Sequence, residues 1–273
     1  LIKGGQSVDL DWLLDIYGGI SWSTLQRIKI DPDRSFTLDE PLERIENLWK
    51  IHLEKQIPLQ YLVGRCPWRD FELEVSPAAL IPRQETELLV DIALKKLDGF
   101  TPRHWADLGT GSGALAVAIA RAFPGSSGQA VDISNDALNL ASTNLQRLAP
   151  HSDVELHLGN WWAPLMPWWG YLDLVLVNPP YIPINILDEL DSIVIKNEPQ
   201  IALSGGEDGL KACREIVKGS MASLSVGAWL ILEHHHDQSD AVLELMSQAG
   251  LKDVGFEKDL QGIRRFAFGR NRS

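Results

Sequence analysis

Cysteine is scarce. Cys66 and Cys213 are the only two in 273 residues, which argues against a disulfide framework and fits a reducing compartment. Basic residues are also in short supply: 25 Lys and Arg stand against 37 Asp and Glu, a net charge of −12. Proteins that hold duplex nucleic acid draw most of their affinity from Lys and Arg set against phosphates, so a long duplex is a poor partner for this chain. No stretch approaches the ~18 consecutive apolar residues of a membrane-spanning helix. Leu1-Ile2-Lys3-Gly4-Gly5 leads into acidic residues rather than an apolar core segment, so no secretory signal is expected and the expected location is cytoplasmic. Repeats and low-complexity tracts are lacking as well. What remains is ordinary globular material, 45% hydrophobic and 23% charged, enough for one large domain or one large plus one small.

Up to residue 64 the apolar spacing is helical. Leu10, Leu13, Leu14 and Tyr17 share a face over 9–17, and 21–30 is a second candidate helix. Thr37 with Glu40 has capping-box spacing, ahead of a stripe of Leu42, Ile45, Leu48, Trp49 and Leu53. Pro58 to Gly64 reads as a further helical turn. Trp68, Phe71, Leu73 and Val75, set between Pro67 and Pro77, suggest a small hairpin. From about residue 85 helices alternate with apolar strands. The strands are expected at 104–108, 129–133, 154–158, 172–177, 228–233, 254–258 and 264–268, and the helices at 86–97, 114–123, 134–148, 209–224 and 237–248. This alternation specifies an α/β fold, a doubly wound, mainly parallel sheet of seven strands. The expected domains are a small N-terminal helical domain (1–65), a linking β-hairpin (66–84) and the sheet domain (85–273).

Asp107-Leu108-Gly109-Thr110-Gly111-Ser112-Gly113 follows a predicted strand and opens a predicted helix, where glycines let backbone approach a ligand. Nineteen residues beyond Gly113 comes Asp132, near the end of the next strand, where a carboxylate can take two ribose hydroxyls. Loop and acid together favour a nucleoside ligand over a ligand-free tight turn. They do not separate a nicotinamide cofactor from S-adenosylmethionine, although G-x-G-x-G departs from the G-x-G-x-x-G of dinucleotide sites.

A second group separates them. Asn178-Pro179-Pro180-Tyr181 stands directly after the predicted strand 172–177, and strand ends in an open parallel sheet face the ligand crevice. The ring of Pro180 biases Pro179 away from helical backbone, leaving the Pro179 carbonyl free to face a substrate. Two neutral acceptors, the Asn178 side-chain oxygen and the Pro179 main-chain oxygen, suit a planar NH2 group with two hydrogens. Tyr181 adds a flat face for a planar amide or base.

Asp107–Gly113 followed by Asn178–Tyr181 resembles the class I S-adenosylmethionine-dependent methyltransferases that act on NH2 groups, whose sheet is Rossmann-like. More narrowly, the chain resembles the HemK/PrmC family of peptide chain release factor glutamine methyltransferases. Ile81-Pro82-Arg83-Gln84-Glu85-Thr86-Glu87 is similar to that family's I-P-R-P-E-T-E signature, and Glu198-Pro199, Gly205–Leu210 and Leu232-Glu233-His234 match further segments. The resemblance implies methyl transfer from S-adenosyl-L-methionine, giving S-adenosyl-L-homocysteine, to the glutamine amide of the Gly-Gly-Gln motif in class I release factors. It implies that Gly109, Thr110, Gly111, Ser112 and Gly113 hold the cofactor's methionine end and Asp132 its ribose. Trp161 would lie on the adenine side. Asn178 would touch both methyl donor and substrate and act with Pro179 in catalysis, while Pro180 and Tyr181 would line the substrate pocket. A monomer without a metal is expected. Gln84 stands in place of the signature's second proline, Asn160 where an acid is common, and Asn197 where an aromatic is usual. His234-His235-His236 is read as a solvated strand end, because consecutive residues on a strand face opposite ways. Two other readings fit the same fold: an adenine amino-methyltransferase acting on nucleic acid, which the lack of a basic recognition segment disfavours, and a non-catalytic partner-binding protein.

Overall fold

Leu172-Asp173-Leu174-Val175-Leu176-Val177, apolar at all but one position, forms the middle strand of a seven-stranded sheet in the computed structural model of this chain. The structure describes residues 4–31, 33 and 35–273; the expectation about a secretory signal falls partly on Leu1, Ile2 and Lys3, outside the described residues. A hairpin is made by β1 (Arg65–Trp68) and β2 (Phe71–Glu74). The large sheet contains β3 (His104–Leu108), β4 (Ser127–Asp132), β5 (Asp153–Leu158), β6 (Leu172–Val177), β7 (Leu224–Glu233), β8 (Lys252–Lys258) and β9 (Arg264–Arg270). Their order is β5-β4-β3-β6-β7-β9-β8. All neighbours run parallel except β9, which is antiparallel to both β7 and β8. Five of the six residues of β6 are buried, as expected of a parallel strand covered on both faces.

The helices Glu87–Leu97, Ala114–Ala122, Asn135–Leu148, Lys211–Ser223 and Ser239–Gln248 cover the sheet. Val175, Leu230 and Leu232 pack with Ile216, Val217 and Met246 in one continuous core. Each such side chain withdrawn from water stabilises the fold by about 1.5–3 kcal/mol before entropy is counted. The helix after the glycine loop buries Ala114 through Ala120, so small residues let it lie close to the strands. Ser134 accepts a hydrogen bond from the Ala137 backbone N–H and caps the following helix.

Two compact units are present. One comprises Leu1–Arg65 with Asp191–Asn197, and the other Cys66–Leu190 with Glu198–Ser273. In the first unit the helices Ser7–Ile16, Trp22–Ile30 and Leu42–Lys55 and the short Leu59–Val63 enclose Leu13, Ile45, Trp49 and Leu59. Residues 191–197 join this unit, where Asn197 Nδ2 donates to the Gln56 carbonyl at 2.6 Å. The capping box expected at Thr37 and Glu40 does not form. That helix starts at Leu42 after Pro41, with no side-chain cap. Proline fixes the entry backbone by itself, and Glu40 pairs with Arg44 instead. Among the described residues no helix is long and apolar enough to cross a membrane.

Candidate active site

β3 and β6 pair in register from Trp105↔Leu174 to Leu108↔Val177. Gly109 and Asn178 are therefore the next residues off two adjacent strand tips. The chain leaves β3 for β4 and β5 on one side, then returns to β6 and continues toward the other edge. Open α/β sheets bind their ligands at such a reversal. A cavity of about 420 Å³ lies at this point, within the range of small-molecule sites.

Gly109, Thr110, Gly111, Ser112, Asp132, Trp161, Asn178 and Pro180 line it. Gly113, Pro179 and Tyr181 lie just outside the lining. Gly113 has φ +83° and turns the chain into the helix, and a Cβ there would meet Ala141 at 3.1 Å. Trp161 holds φ +44°, a strained backbone for a bulky residue. Its ring would lie 3.2 Å from a Cβ on Gly109, so the glycine is what admits the indole at the loop.

The loop is tied to two carboxylates. Asp132 accepts from the Gly111 N–H and the Ser134 N–H, both at 2.9 Å. Each oxygen keeps a lone pair for a ligand hydroxyl. Asp107, 1% exposed, accepts from the Thr110 hydroxyl at 2.7 Å and the Ala116 N–H at 3.1 Å through Oδ2. Its Oδ1 has no partner among the described residues. Burial pushes this carboxyl up to about 7 in spite of both bonds. The Asp132 carboxylate beside the glycine loop opposes a pyrophosphate there, which helix N-termini otherwise favour, and suits a ligand without negative charge at that end. The donor set and the apolar wall of Ile133, Trp161 and Pro199 fit S-adenosylmethionine.

The segments matched in the sequence meet here through contacts that the sequence did not show, because the partners converge from far along the chain. Asn178 Nδ2 donates to Thr86 Oγ1 at 3.0 Å. The Thr86 and Tyr181 hydroxyls donate to the two oxygens of Glu233, at 2.7 and 3.0 Å. Burial pushes both the Tyr181 phenol and the Glu233 carboxyl upward, so the phenol keeps its proton. Arg83 reaches Glu198 at 2.6 Å, and the Ile81 N–H bonds the same carboxylate. This ties the Ile81-Pro82-Arg83 segment to the loop carrying Pro199, and both border the cavity. Asn160 Nδ2 donates to Glu215 at 3.3 Å, and both residues line it. The loop after β6 is braced from behind: the Gly205 N–H bonds the Ile182 carbonyl at 2.8 Å, and Gln238 Nε2 bonds the Tyr181 carbonyl at 2.9 Å. A Cβ on Gly209 would fall 2.3 Å from that same carbonyl. His234, expected at a solvated strand end, is fully buried, because its backbone continues β7 and pairs with Arg265. His235 and His236 follow it beside Asp237, with ligand-capable atoms of all three within 4.8 Å of one another.

The strand order with its antiparallel β9, the glycine loop off β3 and the acid closing β4 define a class I methyltransferase. Residues 84–184 match the family model described as Methyltransferase small domain. The chain belongs to the HemK/PrmC family of release factor glutamine methyltransferases. It is 58% identical to the release factor glutamine methyltransferase of Prochlorococcus marinus, over 97% of this chain and 92% of that protein. It is 38% identical to that of Synechocystis sp., over 100% of this chain and 93% of that one. Among solved structures, the hMettl16 catalytic domain in complex with MAT2A 3'UTR hairpin 1 is similar with a TM-score of 0.62 at 12% identity, covering 96% of this chain and 91% of that one. A methyltransferase from Pyrococcus furiosus has a TM-score of 0.52 at 15% identity, covering 84% and 96%. At these identities the two structures bear on the fold alone.

Proposed function

We propose that this chain methylates the side-chain amide nitrogen of the glutamine in the Gly-Gly-Gln motif of class I peptide chain release factors, with S-adenosyl-L-methionine as donor. The observation that carries the chemistry is the orientation of Asn178. Its Nδ2 donates to Thr86, and Oδ1, on a residue at the cavity wall, meets no donor among the described residues. No donor among the described residues reaches the Pro179 carbonyl. An amide nitrogen is a poor nucleophile because its lone pair is delocalised into its carbonyl. The two oxygens accept its two N–H bonds, fix its orientation and favour lone-pair density on the line of attack, and positioning of this kind can lower a barrier by several kcal/mol. When bound, S-adenosylmethionine supplies an electrophilic methyl carbon on a sulfonium. Once alkylated, the nitrogen is acidic and sheds its proton to water without a dedicated base.

Gly109 to Gly113 hold the donor's methionine end, Asp132 its ribose and Trp161 its adenine side. Pro180 and Tyr181 shape the wall for the substrate carboxamide. The N-terminal helical domain recognises the release factor, the hairpin 66–84 links it to the sheet domain, and the chain works as a cytoplasmic monomer. With a net charge of −12, it favours a protein loop over duplex nucleic acid. Incubating the protein with donor and a class I release factor should add a single methyl group, located by mass spectrometry on the Gly-Gly-Gln glutamine; methylation of a nucleic acid instead would reverse the assignment. In a second measurement, Asp132→Ala should weaken donor binding roughly 100-fold, since it removes a ribose acceptor together with the brace on Gly111. Calorimetry showing unchanged affinity would take Asp132 out of the ribose site.

A further inference from the structure

Thr86 and Glu233 stand 147 residues apart in sequence and meet behind Asn178. Both are buried, Glu233 to 1% exposure. The Thr86 hydroxyl donates to Glu233 Oε2 at 2.7 Å and accepts from Asn178 Nδ2 at 3.0 Å. The second carboxylate oxygen is engaged by the Tyr181 hydroxyl at 3.0 Å. One carboxylate thus holds Tyr181 directly and Asn178 through the Thr86 hydroxyl.

We propose that Glu233 and Thr86 are positioning residues that fix which way round the Asn178 carboxamide sits, keeping Oδ1 toward the substrate amide. This rests on the amide clamp proposed above. The oxygen and nitrogen of a carboxamide are close to equal in size, so packing alone does not choose between its two orientations. Hydrogen-bond direction does. Glu233 accepts at both oxygens, from Thr86 and from Tyr181, so it takes the single hydrogen of Thr86. Thr86 then offers Asn178 lone pairs and nothing else, and these accept from Nδ2 and repel Oδ1. A flipped Asn178 would set two bare oxygens against each other and turn its NH2 toward the N–H groups of the substrate. Burial, with the charge of Glu85, lifts the Glu233 carboxyl above its ordinary range against the pull of the Thr86 and Tyr181 hydroxyls and of Arg265, so the direction of the chain rests on the two hydroxyls that donate to it. The polarity set at the carboxylate passes through one hydroxyl to the substrate-facing atom.

The test compares kcat, KM for the release factor and calorimetric donor affinity in the full-length protein. Thr86→Val keeps the shape and removes the hydroxyl; kcat should fall about 10- to 100-fold, with KM and donor affinity within about threefold. Thr86→Ser restores the hydroxyl and should recover kcat to within about threefold of wild type. Glu233→Gln brings an NH2 that can donate to Thr86 and release the Asn178 orientation, so it should lower kcat by a similar factor. The double variant Thr86→Val with Glu233→Gln should be no slower than either single one, because both interrupt one chain of bonds. Equal losses in Thr86→Val and Thr86→Ser, or a KM that moves with kcat, would make the group mere scaffolding and overturn the proposal. Wild-type kcat in Thr86→Val beside an inactive Asn178→Ala would overturn it while leaving the clamp standing. An active Asn178→Ala would remove both. Should Glu233→Gln fail to fold, the Thr86 pair decides alone.

Discussion

Asn178→Ala is expected to lower methylation of the release factor by roughly 10³-fold or more, with donor affinity changed only a few-fold. The asymmetry follows from where the side chain sits. Asn178 is one of many residues along the cavity, so the donor keeps the glycine loop, Asp132 and the apolar wall when it is truncated. The substrate amide loses one of two acceptors, and with it the orientation that exposes its nitrogen lone pair. The variant also strands the Thr86 hydroxyl's acceptor face, which a water can fill. Single-turnover rates with saturating donor, set beside calorimetric donor affinity, measure the two quantities separately. Turnover near wild type would remove the clamp, and a donor affinity that collapses in parallel would make Asn178 a binding residue first.

The parts of this site that were legible in the sequence are local ones. Asp107–Gly113 and Asn178–Tyr181 each follow an apolar strand, and a strand's end fixes where the next few residues point. The spans expected for β3 and β6 match those observed residue for residue, because both are short apolar runs bounded by turn-forming residues. Other boundaries moved by a few residues, as with β7, which begins at Leu224 rather than 228, because Leu224 pairs with Leu172 ahead of a bulge at the Gly-containing stretch, beyond which Trp229 pairs with Leu174. What the sequence concealed is convergence. Thr86 sits in the Ile81–Glu87 segment and Glu233 at a strand end, and although both segments match the family's pattern, nothing in either sets it against the other. The same holds for Arg83 with Glu198, and for residues 191–197, whose place with the helical unit depends on contacts to a segment some 140 residues earlier. The approach of the Trp161 ring to the bare face of Gly109 was equally hidden, since it too joins residues far apart in sequence.

The second large effect concerns stability, and it turns on Asp107. Its carboxyl is buried with one oxygen unpartnered among the described residues, and burial lifts it from the ordinary aspartate value of 3.8 to about 7, the neighbouring Asp132 charge adding to the rise. A carboxyl that is raised on folding binds its proton more tightly in the native state. Between the two values the native protein therefore holds more protons than the unfolded chain, and stability falls as pH rises through that window. Full stabilisation is present below about pH 4 and is gone above about pH 7, a swing on the order of 4 kcal/mol for this group alone. Asp107→Asn removes the titration, keeps an oxygen for Thr110 and Ala116, and places an uncharged NH2 where Oδ1 lacks a partner. Urea unfolding of the donor-free protein at about pH 5 and about pH 8 isolates the effect as the difference between wild type and variant. From the lower to the higher pH the wild type should lose roughly 2–3 kcal/mol relative to Asp107→Asn. A difference that is the same at both pH values would mean that Asp107 is already ionised throughout, and that its unpartnered oxygen is satisfied by water rather than by a proton.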